Sequence, residues 1–264
     1  MTTHVELLQL GLPVVNISTA SSDKRFSQQS QDEETQAALV AAALAFEHAF
    51  SEGPMRPTRQ DLPAVPGAFL IHGAFSHEEA ARLAAAVTLA HGGRAKRTLE
   101  EQRRESQHHR ALTVSMEILA RRLRPLLPAV AGPRCLAKLE GAGSEISSFL
   151  RCYRYEQGDL SRPHWDRSYC LCEYTPNVLS SFSAYSLLLY TNDAFEGGET
   201  TFFHADPALP VSNKKLTPQC DRAALRVALR VQPKAGDALV FPHGLHPGCL
   251  GSSASARIGV VRDW

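Results

Sequence analysis

Arg151-Cys-Tyr-Arg-Tyr-Glu-Gln-Gly-Asp-Leu-Ser-Arg-Pro-His-Trp-Asp166 is the stretch on which the reading of this chain turns. It begins as a strand, breaks at Gly158 and ends on His164-Trp165-Asp166. Successive side chains of an extended segment point to opposite faces, so His164 and Asp166 share one. An imidazole nitrogen and a carboxylate oxygen then reach the same metal ion. A third ligand from a distant strand, His246 about eighty residues later, completes a facial set and leaves three coordination positions open. Two histidines and one carboxylate with open positions suit non-haem Fe(II). A structural zinc site would be closed by four protein ligands, usually with cysteine among them.

The pattern His-x-Asp is weak alone. The chain holds 11 histidines, and a second pair, His204-Ala-Asp206, is present. Context separates the two. His164 follows a strand and a glycine turn, and further strands precede the distal histidine. His204 borders a Pro-rich insertion, Asp206 to Arg226, where a surface role is expected. The distal position also offers two histidines, His243 and His246, of which His246 is the expected ligand.

Outward from this core the pattern is β. Ile146 to Tyr155, Ser183 to Thr191, Glu199 to His204, Ala228 to Val231, Ala238 to Phe241 and Ala256 to Val261 are expected strands, with turns at Gly158, Asn192-Asp193, Gly197-Gly198 and Ala235-Gly-Asp237. Upstream the signals are helical. Ser76 with Glu79 makes a capping box ahead of an Ala/Leu helix ending near Gly92. Thr98 with Glu101 marks another helix, and Met116 to Leu127 a further one closed by Pro128. The basic stretch Arg94 to Arg124 is interleaved with Glu100, Glu101 and Glu105, so a solvated helix face is expected there rather than a nucleic-acid stripe. Ser30 with Glu33 opens a helix carrying Leu39, Ala43, Phe46 and Phe50, and a linker with Pro57, Pro63 and Pro66 follows. Residues 1–65 are therefore expected to form an accessory arm, partly flexible with one helix. Residues 66–264 form the main domain, of α+β class.

Composition narrows the partners. The 264 residues balance 28 Lys+Arg against 27 Asp+Glu, so overall charge gives no reason to expect nucleic acid or an anionic membrane. No apolar run is long enough to span a bilayer, and the N-terminal residues do not read as a secretory signal. Six cysteines without metal or redox spacing are expected to be reduced thiols, which points to the cytosol or nucleus.

Six motifs in order resemble the prolyl 4-hydroxylase-like 2-oxoglutarate/Fe(II)-dependent dioxygenases. They are Arg151 to Gly158, Pro163-His-Trp-Asp166, Ser186-Leu-Leu-Leu-Tyr-Thr-Asn-Asp193, Glu196-Gly-Gly-Glu-Thr-Thr-Phe202, Pro233-Lys-Ala-Gly-Asp-Ala-Leu-Val-Phe241 and Leu245-His-Pro-Gly248. Upstream, Gly67 to Glu79 is similar to the strand and helix that open that domain. The resemblance covers about residues 65 to 264. It implies a double-stranded β-helix, or jelly-roll, core with supporting N-terminal helices. It also implies Fe(II) held by His164, Asp166 and His246, 2-oxoglutarate as cosubstrate, and ascorbate beside them. The implied reaction hydroxylates a C–H bond, with a prolyl residue of a protein as the candidate acceptor, and releases succinate and CO₂.

The cosubstrate's distal carboxylate needs a cation, and Arg257 falls near the family's position for it, with Arg262 as the second candidate. Five residues apart, the two face opposite sides of a regular strand. Tyr155 and Tyr190 match positions where a tyrosine often contacts 2-oxoglutarate. A protein or peptide substrate is expected. Two other readings of the same residues stand beside this one: a catalytically silent jelly-roll that binds metal or a partner, and a metal-dependent hydrolase.

Overall fold

The computed structural model describes residues 33–91, 109–127, 146–147, 149–155, 160–164, 185–204, 226–242 and 258–263. The first helix, α1 (Glu33–Glu47), places Leu39, Ala42, Ala43 and Phe46 on one buried stripe, the 3.6-residue spacing of an amphipathic helix. It packs on α2 (His77–His91), whose buried face is Ala80, Leu83, Ala86 and Ala90. Alanines on both faces let the two helices lie close. The capping box expected from the sequence opens α2: the Glu79 amide donates to Ser76 Oγ at 3.1 Å, and the Ser76 amide donates to Glu79 Oε2 at 2.8 Å. Leu39, Ala42, Ala43 and Phe46, from the segment expected as an arm, thus share one apolar cluster with α2 and the first sheet.

That sheet is antiparallel, in the order β1 (Thr58–Asp61), β2 (Phe69–His72), β9 (Ala238–Pro242), β6 (Tyr185–Leu189). Alternation divides it cleanly. Phe69, Ile71, Ala238 and Val240 face the helices, whereas Leu70, Leu188, Leu239 and Phe241 belong to a second cluster on the opposite side. The second sheet, also antiparallel, runs β5 (Leu160–His164), β10 (Ile258–Asp263), β7 (Glu199–His204), β8 (Arg226–Val231). It supplies Phe202, Leu229 and Val231 to that second cluster. Phe202 and Phe241 meet edge to face, with centroids 5.2 Å apart, which joins the sheets. Such a pair adds about 1 kcal/mol beyond the area that it buries. The layers are therefore helices, first sheet, apolar inter-sheet space and second sheet, an α+β arrangement.

A two-stranded ladder, β3 (His109–Thr113) with β4 (Phe149–Tyr153), lies beside the helices, where His91 Nε2 donates to the Cys152 carbonyl at 3.0 Å. Burial pushes the Cys152 thiol up to about 12, so it stays protonated and acts as a small apolar residue.

Several elements depart from the sequence reading. Part of the expected basic helix face, His109–Thr113, is strand β3. The helix expected over Met116 to Leu127 is α3 (Glu117–Leu123) followed by a 3₁₀ turn at Arg124–Leu126. Pro125 has no amide to continue the α-helical ladder, so the chain tightens there. Strands β1 and β5 were not expected. The helix expected after Thr98 and most of the 206–226 insertion lie outside the described residues.

Candidate active site

Three of the candidate residues, His164, Tyr190 and Arg262, fall on or directly after strands that border the inter-sheet space. On the second sheet, Phe202 pairs with Val260, and Val260 pairs on its other side with His164, the last residue of β5. Directly opposed residues of antiparallel strands lie on the same face. Phe202 is fully buried against Phe241, so this row belongs to the inter-sheet face, and His164 stands at its outer end. Two residues along, in the second row of the same face, Arg262 pairs with Thr200 on one side and, past a register shift in the ladder, with Ser161 on the other. Arg262 and His164 thus stand two rows apart on one sheet, with the Val261–Thr201 pair between them.

Tyr190 reaches this second row from the first sheet. It directly follows β6, is buried, and its Oη lies 2.9 Å from Thr200 Oγ1. Its main chain is held on both sides: the Tyr190 amide donates to the Asp237 carbonyl at 3.1 Å, and the Gly236 amide donates to the Tyr190 carbonyl at 3.0 Å. Tyr155, the other tyrosine candidate, stands elsewhere. It follows β4, and its ring stacks on Tyr153 with centroids 6.2 Å apart and planes at 14°. The structure thus brings Tyr190 to the row that carries Arg262, and places Tyr155 beyond the end of a different sheet.

Asp166, His246 and Arg257 lie outside the described residues, and of His164 and Arg262 the backbone positions are described. Among the described residues no group of three or more His, Cys, Asp or Glu side chains is arranged to hold a metal. His204 closes β7, is exposed, and pairs with Ile258 at the same sheet end as His164.

Two groups carry more than their residue types suggested. Asp237 was expected as a turn residue, and Thr200 as an ordinary strand residue. Asp237 is 6% exposed. Its Oδ1 accepts from the Gly73 amide at 2.9 Å, and its Oδ2 accepts from His72 Nδ1 at 2.7 Å. Across the His72 ring, Nε2 lies 2.7 Å from Gln60 Oε1 on β1. A buried carboxylate is costly unless bonded, so its partners are part of the fold's design. The Gly-Asp turn signal locates this residue, but only tertiary contacts reveal what the carboxylate grips.

The chain is similar to two proteins of Arabidopsis thaliana. It is 28% identical over 198 residues to the "Probable prolyl 4-hydroxylase 3", an alignment covering 70% of this chain and 64% of that protein. It is 34% identical over 113 residues to the "Probable prolyl 4-hydroxylase 10", covering 38% of this chain and 36% of that protein. The chain therefore spans less than two thirds of the length of either curated relative. No family model matches it. No solved structure matches it. No helix of the described residues is long and apolar enough to cross a membrane.

Proposed function

We propose that this chain is an Fe(II)- and 2-oxoglutarate-dependent dioxygenase that hydroxylates a C–H bond, with a prolyl residue of a protein or peptide as the acceptor. The observation that carries the reading is the placement of His164 at the end of β5, on the inter-sheet face, two rows from Arg262 and the Tyr190–Thr200 hydroxyl pair. The similarity to two plant proteins named as probable prolyl 4-hydroxylases supports the acceptor class. Two antiparallel four-stranded sheets around one apolar cluster support the jelly-roll winding.

In this reading His164, Asp166 and His246 hold Fe(II), and their two imidazoles and one carboxylate suit that metal. The bound metal with 2-oxoglutarate supplies the oxidising power, and succinate and CO₂ leave as coproducts. The chain's own residues position and exclude. A guanidinium on or just before the last strand, Arg257 or Arg262, grips the distal carboxylate of 2-oxoglutarate with paired charge-assisted hydrogen bonds. Tyr190 turns a hydroxyl toward the same row. Phe202 and Phe241 keep water from the inter-sheet space, which strengthens every polar contact inside it.

The test is direct. Anaerobic addition of Fe(II) and 2-oxoglutarate is expected to produce the weak visible charge-transfer band of the chelate, and oxygen then to yield succinate. A band without turnover on any prolyl peptide points to a silent metal-binding protein. Neither band nor succinate sinks the dioxygenase reading, and activity without oxygen or 2-oxoglutarate replaces it with a hydrolase.

A further inference from the structure

We propose that Asp237 is a positioning residue for Tyr190, holding from behind the hydroxyl pair that lines the inter-sheet site; the functional consequence rests on the cosubstrate reading of Tyr190 given above. A turn of this kind asks only for a small polar residue, and an aspartate serving that need alone would lie in water. This carboxylate is buried and used on both oxygens, by the Gly73 amide and the His72 ring. Those two bonds strap the start of β9 to the end of β2.

Tyr190 is held by the same turn, through Asp237 and Gly236. Its amide donates to Asp237 and its carbonyl accepts from Gly236. Gly236 cannot slide away, because it has a φ of +90° and the Phe75 amide donates to its carbonyl at 3.1 Å. The Tyr190 hydroxyl sits at the far end of a long ring. A small tilt of its main chain therefore moves Oη out of the few tenths of an ångström that a hydrogen bond to Thr200 tolerates. Asp237 touches neither cosubstrate nor metal in this scheme. It fixes the strand end from which Tyr190 projects.

The experiment compares Asp237→Ala, Asp237→Asn and Tyr190→Phe in the full chain loaded with Fe(II). Asp237→Ala is expected to raise the KM for 2-oxoglutarate about tenfold with kcat within about twofold, the size of one lost polar contact. Asparagine keeps an oxygen for the Gly73 amide and is expected to restore KM to within about threefold of the parent. Combined with Tyr190→Phe, Asp237→Ala is expected to add nothing, because both act on one hydroxyl. An unchanged KM in folded Asp237→Ala protein, or effects of the two changes that multiply, overturns the proposal. The second readout needs no activity: exchange of the Tyr190 amide hydrogen is expected to quicken at least about tenfold in Asp237→Ala. Should the parent chain turn over no 2-oxoglutarate, the dioxygenase reading fails separately, and this exchange rate alone decides whether Asp237 positions Tyr190. Should Asp237→Ala not fold, His72→Ala removes one of the two carboxylate bonds at a half-buried side chain. It is then expected to show about threefold changes in the same readouts, and no change in either overturns the proposal.

Discussion

The Arg122 guanidinium brackets the Glu79 carboxylate, with Nη1 2.9 Å from Oε2 and Nη2 3.0 Å from Oε1. Both side chains are buried, at 7% and 1% exposure. The remaining capacity of the pair is also used. The Ser51 amide and hydroxyl donate to Glu79 Oε1, while Arg122 donates to the carbonyls of Ala74 and Ser51. One ion pair thus ties α3, the first turn of α2 and the segment that follows α1. Removing one partner of a buried pair leaves an uncompensated charge, at a cost of about 3 kcal/mol or more. Arg122→Ala is accordingly expected to lower the free energy of unfolding by about that much in urea titration. Lysine should recover only part of it, because an ammonium cannot bracket both oxygens. A loss below about 1 kcal/mol would mean that the pair is solvated.

The same carboxylate gives the fold an acid limit. Burial alone would raise the Glu79 pKa, but Arg122 foremost, with the Ser51 and Ser76 donors, outweighs it and holds the group at about 2 against an ordinary value of 4.5. A carboxyl depressed in the folded state stabilises the protein above its unfolded value, and this contribution fades as pH falls toward the folded one. The stability difference between the parent protein and Glu79→Gln should therefore be full at pH 7 and shrink by about 3 kcal/mol between pH 4.5 and 2. Urea midpoints of the two proteins across that range check it, and a difference independent of pH refutes the assignment.

Local signals were legible, and distant partners were not. Ser76 and Glu79 announced their capping box by spacing alone, but Arg122 lies 43 residues from its partner, so nothing in either neighbourhood foretold the ion pair. Strand β7 was read with its true limits, Glu199–His204, because alternation runs cleanly after the Gly197-Gly198 turn. Thr58-Arg-Gln-Asp61 escaped notice because an edge strand with four exposed residues has no apolar pattern, and only its backbone pairing with β2 makes it a strand. Leu160–His164 was hidden by Pro163 and is defined by its pairing with β10. In the site, His164 was chosen by residue type and spacing. The hydroxyl bond from Tyr190 to Thr200 and the carboxylate grip of Asp237 depend on which strands become neighbours, which the local sequence does not encode.

Glycine is required at 236. With φ at +90°, a Cβ there would sit 2.6 Å from the Phe75 carbonyl oxygen, a backbone atom that cannot swing aside. Gly236→Ala is expected to cost about 2 kcal/mol or more, from left-handed backbone strain and the clash together. Gly73→Ala is the control. Its φ is +62°, but nothing lies within 4 Å of the added carbon, so it should cost only about 1 kcal/mol. Equal losses in thermal or urea unfolding would remove the contact with Phe75 from the explanation.

The two arginines near the C-terminus can be separated by affinity. Arg257 was favoured from its distance after His246, while the register of β10 sets Arg262 opposite Thr200, which bonds Tyr190. Loss of the gripping guanidinium should weaken 2-oxoglutarate binding by about tenfold or more while Fe(II) still binds, since one charge-assisted contact is worth about 1.5 to 3 kcal/mol. Titrating 2-oxoglutarate into Arg257→Ala and Arg262→Ala, each loaded with Fe(II), assigns the role to whichever variant weakens. If neither does, the carboxylate is held by another part of the chain.

His164 carries the heaviest demand. It ends β5 and pairs with Val260, and in the sequence it directly precedes Trp165 and Asp166. Replacing it with alanine removes one of three proposed ligands without touching the apolar cluster of Phe202, Phe241 and Leu239 that joins the sheets. The fold should survive, with an unfolding midpoint close to that of the parent. Fe(II) affinity should fall by at least about a hundredfold, the chelate band should vanish, and succinate production should be lost with it. His204→Ala, at the same end of the sheet but beginning the rejected His-Ala-Asp pair, should leave Fe(II) affinity unchanged. If His204→Ala abolishes metal binding and His164→Ala does not, the two pairs have been assigned the wrong way round and the metal sits at the end of β7.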